Sequence, residues 1–133
     1  MLRVLIVDDH PLFRQGVAKI LRDEPDIGLI GQAADGQQAL QIALQDDWDV
    51  VLLDISLPQV NGLVVLRSLK QRRPTTPVIM LTVYQNRHYL HDALNAGAAG
   101  YMSKEATSDE LLAAIRSVLV GKTYINENLR SLV

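Results

Sequence analysis

The sequence contains no cysteine. Disulfide bonds and thiolate metal sites are therefore excluded, and the composition fits a reducing cytoplasm, where we expect this protein to act. The chain also has little excess charge of either sign, because its 133 residues carry a formal net charge of -2. A domain with so balanced a charge shows no electrostatic sign of binding nucleic acid by itself.

Long hydrophobic runs are missing as well. No stretch approaches the roughly 20 consecutive apolar residues that are needed to cross a membrane, so we expect no membrane partner. The first residues have neither the basic start nor the apolar core of a signal peptide. With 48% hydrophobic residues, a chain of this length can bury a substantial core, and we predict a single soluble globular domain.

Short runs of aliphatic and β-branched residues alternate with longer segments of helical period. The runs predict five strands, at residues 3–7, 28–33, 50–53, 78–82 and 99–102, each followed by one of five predicted helices. The third run, VVLL, is wholly apolar, as expected for a strand that is covered on both faces. This alternation predicts an α/β domain with a parallel sheet.

Four of the five predicted strands lead into residues that can carry chemistry. Asp8 and Asp9 follow the first strand, Asp54 follows the third, Thr82 ends the fourth and Lys104 comes after the fifth. The functional crevice of an open α/β sheet lies beyond the carboxyl ends of its strands. We therefore expect three carboxylates, a hydroxyl and an ammonium group to converge at one edge of the sheet.

Three carboxylates in one crevice repel one another and favour a hard divalent cation. Oxygen ligands suit Mg²⁺, which usually also binds a phosphate oxygen. The donor set therefore predicts phosphoryl chemistry, in which one carboxylate is the nucleophile and Lys104 and Thr82 lie beside the transferring group.

Four fragments of the chain carry a resemblance to a known family. In order they are VLIVDDHPLFRQG, VVLLDISLPQVNGL, VIMLTVY and AGAAGYMSKEATSDELLAAI, and together they resemble the receiver domain of two-component response regulators over residues 2–122. The chain is most similar to the nitrate/nitrogen-fixation regulator subfamily, whose C-terminal helix-turn-helix domain binds DNA. The resemblance implies a flavodoxin-like, doubly wound, five-stranded parallel sheet of order 2-1-3-4-5 with five helices.

The resemblance also implies a role for each acidic residue. Asp54 matches the aspartate that accepts a phosphoryl group from the phosphohistidine of a sensor histidine kinase. Asp9 would bind Mg²⁺ directly, Asp8 chiefly through water, and the carbonyl of Ser56 would complete the protein ligands together with Asp54. The domain would act as a phosphorylation-dependent switch and not as a turnover enzyme.

The remaining matched residues belong to the switch. Thr82 matches the hydroxyl that moves to bond the aspartyl phosphate, and Lys104 matches the ammonium that pairs with it. Tyr101 occupies the aromatic switch position, whose side chain turns inward as Thr82 moves. The output would be a population shift between two packings of one face of the domain.

The sequence departs from the family pattern at three places. Glu105 stands where many receivers have a proline with a cis peptide bond, so we do not expect that bond here. Val83 replaces a small residue and could slow hydrolysis of the phosphoryl group. Ser56 replaces the amide or methionine that is common at its position.

Residues 1–121 are predicted to form the receiver domain, and residues 122–133 to begin an interdomain linker. The resemblance implies that a DNA-binding domain, absent from this chain, follows Val133 and controls transcription. A stand-alone receiver that acts only through protein–protein interaction is the alternative. Homodimerisation on phosphorylation is common in the family, but the sequence does not indicate which surface would pair.

Simpler interpretations exist for each site residue taken alone. Adjacent aspartates such as Asp8 and Asp9 are usually a solvated turn or a helix cap. Asp54 and Lys104 could be surface charges, and Thr82 an ordinary hydroxyl at a strand end. Only their occurrence together at the strand ends favours a site.

The three histidines, His10, His88 and His91, lack a paired metal-binding arrangement and are interpreted as solvated or capping residues. Other functions on the same fold have less support. A flavodoxin-like cofactor binder needs a small, hydroxyl-rich loop after the first strand, where this chain has DDHPLFRQG. An aspartyl-phosphate phosphatase normally has its nucleophile after the first strand and carries a substrate cap, for which this chain has no spare residues. Neither the P-loop pattern nor GxGxxG occurs, so nucleotide binding has no support.

Overall fold

The structure, a computed structural model, describes residues 1–84 and 86–133. Its strands and helices alternate along the chain. The strands are β1 Leu2–Val7, β2 Ile27–Ala33, β3 Val50–Asp54, β4 Val78–Thr82, β5 Gly100–Ser103 and β6 Tyr124–Ile125; the helices are α1 Pro11–Arg22, α2 Gly36–Gln45, α3 Gly62–Arg72, α4 Arg87–Asn95 and α5 Ser108–Leu119. A short 3-10 helix, Glu127–Leu132, follows β6. The five predicted strands are confirmed to within one residue at each end.

All strand pairs are parallel, and the sheet order is β2-β1-β3-β4-β5-β6. The predicted five-stranded order 2-1-3-4-5 is confirmed, and the structure adds a short sixth strand beside β5. β6 pairs only Tyr124 with Gly100 and Ile125 with Tyr101. A strand of two half-buried residues leaves no alternating pattern in the sequence, so its pairing depends on contacts that only the fold creates.

The sheet separates two apolar cores. Side chains alternate along β1, so that Leu5 and Val7 pack with α2, α3 and α4, whereas Val4 and Ile6 pack with α1 and α5. All residues of β3 and β4 are buried, as expected of central strands covered by helices on both faces. No helix in the described part of the chain is long and apolar enough to cross a membrane.

Helices α2 to α5 begin after residues whose side chains cap them. Asp35, Asn61 and Asn86 accept backbone N–H bonds in the first turns of α2, α3 and α4. Thr107 caps α5 in a reciprocal box with Glu110, so Thr107 and not Ser108 is the N-cap. These caps fix where each helix starts after the loop that carries the strand-end residues.

The C-terminal residues fold back onto the domain. Leu129 of the 3-10 helix is fully buried in the core beside α4, and Asn126 is 2% exposed. The backbone N–H of Tyr124 donates to the carbonyl of Ala99 at 2.9 Å. This segment therefore extends the sheet beyond the five-stranded unit.

Candidate functional site

The carboxyl ends of β1 and β3 bring acidic side chains together. Asp8, directly after β1, and Asp54, the last residue of β3, are both buried, whereas Asp9 is exposed. One ligand atom from each of Asp8, Asp9, His10 and Asp54 lies within 4.8 Å of the others. The predicted convergence of the three carboxylates is thus observed.

Lys104 reaches this cluster from the loop after β5. Its Nζ atom lies 2.6 Å from Asp8 Oδ2 and 3.0 Å from Asp54 Oδ2, and its side chain is 8% exposed. The ammonium also lies 4.8 Å from the centroid of the Phe13 ring, within reach of a cation–π interaction. One ammonium cannot neutralise three carboxylates, so the cluster keeps a net negative charge.

Backbone groups hold the two buried carboxylates in place. The Ser56 N–H donates to Asp54 Oδ1 at 3.0 Å, and the His10 N–H donates to Asp8 Oδ1 at 2.8 Å. Arg14 donates to the carbonyl of Asp8 at 2.5 Å, which fixes the backbone at the end of β1. The site therefore has defined side-chain positions before any ligand binds.

Burial raises the pKa of Asp54 above its ordinary value, and the nearby negative charge of Asp8 adds to the rise. The Ser56 N–H and the Lys104 ammonium oppose this effect and lower the pKa, but they do not outweigh burial. Ionised Asp54 is therefore a carboxylate whose charge is only partly compensated. Binding a cation, or losing its charge in a covalent bond, lowers the free energy of such a group.

The donor set fits a hard divalent cation. Asp8 Oδ2 is buried and makes no hydrogen bond of good angular geometry to the part of the chain that the structure describes, although the Lys104 ammonium lies close to it. Asp8, Asp9 and Asp54 supply oxygen atoms, which Mg²⁺ prefers over nitrogen. The residues present thus agree with a magnesium site formed by these three carboxylates.

Thr82 ends β4, the strand next to the one that ends in Asp54, and Tyr101 lies on the neighbouring strand β5. Thr82 is buried, and its Oγ1 accepts the Tyr84 N–H at 2.9 Å, so the hydroxyl is engaged with the β4–α4 loop. Tyr101 is fully buried, and burial raises the pKa of its phenol, an effect that the Thr82 hydroxyl partly offsets. Within the described residues the phenol oxygen makes no hydrogen bond of good geometry.

Some contacts differ from the sequence-based interpretation. His10 is exposed, as expected, but its Nδ1 lies 2.8 Å from Asp8 Oδ1 and 3.2 Å from Asp9 Oδ1, so it belongs to the cluster. Its position directly after the two aspartates was the available signal. Ser56 contacts Asp54 through its N–H; its carbonyl as a metal ligand stays a prediction.

All peptide bonds in the described residues are trans, in agreement with the expectation for Lys104 and Glu105. The backbone N–H of Lys104 donates to the carbonyl of Thr82 at 2.8 Å, which aligns the loop after β5 with the end of β4.

Comparison with known proteins identifies the family to which this chain belongs. The model of the response regulator receiver domain matches residues 4–116. The chain is 38% identical to the transcriptional regulatory protein DegU of Brevibacillus brevis over 94% of its own length and 53% of that protein. It is 41% identical to the response regulator UvrY of Escherichia coli strain K12, covering 94% of this chain and 57% of that protein. The chain thus spans about half the length of these curated relatives.

Solved structures show the same fold. A two-component response regulator of the LuxR family from Aurantimonas sp. SI85-9A1 superposes with a TM-score of 0.92 at 28% identity, covering 97% of this chain and 92% of that one. A CheY-like response regulator receiver domain protein from Methanospirillum hungatei JF-1 superposes with a TM-score of 0.85 at 30% identity, covering 90% and 94%. With the family model matched over most of the chain and the acidic cluster at the expected strand ends, this protein belongs to the response regulator receiver domains.

Proposed function

We propose that Asp54 accepts a phosphoryl group from the phosphohistidine of a sensor histidine kinase, in a Mg²⁺-dependent reaction. The observation that carries the proposal is the buried Asp54 carboxylate, which lies 3.0 Å from the Lys104 ammonium and beside Asp8 and Asp9. A receiver domain is a phosphoacceptor switch, and this cluster brings together a carboxylate nucleophile, the Lys104 ammonium and oxygen ligands for a metal.

In the proposed transfer, a carboxylate oxygen of Asp54 forms a bond to phosphorus. The bond between phosphorus and the histidine nitrogen breaks, and the ring keeps the electron pair. Mg²⁺, held by Asp8, Asp9 and Asp54, would neutralise charge on the phosphoryl oxygens. Lys104 would then pair with a phosphoryl oxygen in place of the Asp54 carboxylate.

The proposed switch uses Thr82 and Tyr101. To donate to the aspartyl phosphate, the Thr82 hydroxyl has to give up its donation to the Tyr84 carbonyl, 3.4 Å away, which loosens the start of the β4–α4 loop. Tyr101 packs in the same core as Leu90 of α4, so a change at Thr82 is passed to that helix. Phosphorylation would thereby shift the population between two packings of the α4 and β5 face.

A DNA-binding domain in the full-length protein is the second part of the proposal. It is supported by relatives of about twice this length, one of which is called a transcriptional regulatory protein. A cytoplasmic location and pairing of two phosphorylated copies follow as further expectations. Sequencing the gene beyond the codon for Val133 tests this part, since a stop codon there would support a stand-alone receiver instead.

The phosphoacceptor is tested with a small acyl phosphate and Mg²⁺. Intact mass should show one hydroxylamine-labile phosphoryl group on the wild type and none on Asp54→Ala. Asp47→Asn, at an exposed carboxylate outside the acidic cluster, is the matched control and should label like the wild type. An unlabelled wild type, or equal labelling of Asp54→Ala, would refute the assignment.

Pairing is tested by sedimentation with and without beryllofluoride and Mg²⁺. A larger mass only in their presence supports the phosphorylation-dependent homodimer. An unchanged mass contradicts it and leaves the phosphoacceptor assignment intact.

A further inference from the structure

We propose that Asn126, in the C-terminal segment, is a positioning residue for Lys104. This inference deepens the proposed function, on which it rests, because it assigns a role in the phosphorylation site to a segment that the sequence indicated only as linker. The link runs from the Asn126 side chain to Ser103, the residue directly before Lys104.

The geometry at the end of β6 requires such a contact. β6 pairs with β5 at only two positions, and the Asn126 N–H then donates to the carbonyl of Tyr101 at 3.3 Å. Beyond Asn126 the chain leaves the sheet and enters the 3-10 helix Glu127–Leu132. The next N–H on that edge of β5 belongs to Ser103, and among the described residues, 1–84 and 86–133, no strand lies opposite it.

The Asn126 side chain replaces the missing strand. Its Oδ1 accepts the Ser103 N–H at 2.9 Å, and both residues are buried. On the opposite side, Ser103 pairs with Thr82 in the sheet, and the Lys104 N–H donates to the Thr82 carbonyl. The backbone that carries Lys104 is thus held from both sides, by β4 and by Asn126.

This support fixes the backbone from which the Lys104 side chain extends. The Lys104 ammonium lies 2.6 Å from Asp8 and 3.0 Å from Asp54, and a displaced backbone would change both distances. Without Asn126, the buried Ser103 N–H loses its acceptor, and the end of β5 is free to fray. A small displacement of a group that stabilises a transferring phosphoryl group lowers the rate steeply.

Asn126 is itself held by the C-terminal segment. Its Nδ2 donates to Asn128 Oδ1, and Leu129, three residues on, is fully buried. By the reciprocity of coupled equilibria, a ligand that engages Lys104 should favour the docked segment as much as the docked segment favours that ligand. Phosphorylation at Asp54 would thereby stabilise the attachment of residues 124–132.

The test compares two variants of the full chain with the wild type. Asn126→Ala should be phosphorylated by the small acyl phosphate about tenfold more slowly than the wild type. Ser131→Ala, at an exposed residue of the same segment, should label at the wild-type rate. Labelling of Asn126→Ala at the wild-type rate would overturn the inference, and so would an equally slow Ser131→Ala.

A second measurement needs no variant that could fail to fold. Hydrogen exchange on the wild type should slow at the Ser103 and Asn126 amides when beryllofluoride and Mg²⁺ are added, and slow less at the amides of the opposite edge strand, β2. Equal protection at both edges would overturn the inference. A wild type that takes no phosphoryl group on Asp54 would refute the proposed function, whereas a labelled wild type with an equally fast Asn126→Ala refutes only the role of Asn126.

Discussion

The Asp54 carboxylate ends a strand whose residues are all buried, and its raised pKa means that its charge is disfavoured in the folded state. Asn has nearly the same shape and keeps the acceptor for the Ser56 N–H. We therefore expect Asp54→Asn to stabilise the protein at neutral pH without Mg²⁺, by on the order of 1 kcal/mol. Urea unfolding in EDTA measures this, with Asp47→Asn as the control.

The pH dependence of this gain has a definite sign. Since the folded pKa of Asp54 lies above the ordinary value of 3.8, the unfolded chain releases this proton first as the pH rises. As the pH rises from 3.8 through the folded pKa of Asp54, the free energy of unfolding of the wild type falls, whereas that of the variant is unaffected by this group. The gain should therefore vanish toward acidic pH. A variant less stable than the wild type at neutral pH would contradict the argument.

Gly62 starts α3 where the backbone passes very close to Asp54. A Cβ at this position would lie 2.2 Å from the Asp54 carbonyl oxygen and 2.8 Å from Ile55 Cα, both backbone atoms. Gly62→Ala should therefore destabilise the protein by about 2 kcal/mol or more and lower the phosphorylation rate.

Gly16 is the matched control for Gly62. It lies in α1, and within the described residues no heavy atom outside its chain neighbours and the adjacent helix backbone comes within 4 Å of its Cβ position, so Gly16→Ala should stabilise the helix by about 0.5–1 kcal/mol. Thermal unfolding of both variants compares the two. Equal effects would show that the contact with Asp54 is unimportant.

The site residues at the strand ends were predictable because the carboxyl ends of all strands in a parallel sheet lie at the same edge. Asp8, Asp9, Asp54 and Lys104 needed only that rule. The position of the Phe13 ring beside Lys104 was not predictable, because it depends on how α1 is rotated against the sheet. The role of Asn126 was not predictable either, because its partner Ser103 lies 23 residues earlier in the chain and only the fold brings the two together.

At the scale of single elements, α5 shows how capping places a helix. Thr107 Oγ1 accepts the Glu110 N–H at 3.2 Å, and Glu110 Oε1 accepts the Thr107 N–H at 3.4 Å. Thr107→Ala removes the acceptor and should cost about 1 kcal/mol. Ser108→Ala, one residue later, should cost much less. A larger loss for Ser108→Ala in urea unfolding would contradict the observed cap.

The sequence contains enough information to identify Thr107, and not Ser108, as the N-cap of α5. Thr107 is followed three residues later by Glu110, which is the capping-box pattern, whereas Ser108 is followed by Leu111. β6 differs in this respect. Its two residues have no period of their own, and only the exposed edge of β5 makes them a strand.

At the scale of the whole molecule, Arg116 joins α5 to the loop between α1 and β2. Its guanidinium donates to both carboxylate oxygens of Asp26, at 2.5 and 2.8 Å, and to Glu24 at 3.2 Å. The hydrogen bonds from Arg116 hold the pKa of Asp26 below its ordinary value. A lowered pKa contributes stability above the unfolded value of 3.8, and that contribution is lost as the pH falls through the folded pKa.

Arg116→Met should return the pKa of Asp26 toward 3.8, as followed by NMR titration of the carboxyl carbon. The unfolding midpoint should change little, since the pair is exposed and screened by solvent. Arg22→Met, at an exposed arginine near the end of α1, should leave the titration unchanged. An Asp26 pKa that stays low in Arg116→Met would exclude this ion pair as the cause.

The C-terminal boundary of the domain depends on how residues 122–133 pack against it. A linker beginning at residue 122 should be removable without loss of stability. However, Leu129 is fully buried against the core that contains Tyr101, and Asn126 completes the edge of β5. We expect Leu129→Ala to cost about 2–5 kcal/mol, and removal of residues 122–133 to cost at least as much.

Leu132→Ala is the matched control, since Leu132 is only partly buried at the end of the same 3-10 helix. It should cost clearly less than Leu129→Ala in urea unfolding. If the truncated chain keeps the wild-type midpoint, residues 122–133 are linker alone. A lower midpoint means that the receiver unit extends through Leu129, so that any domain that follows is attached to a segment already packed against the switch face.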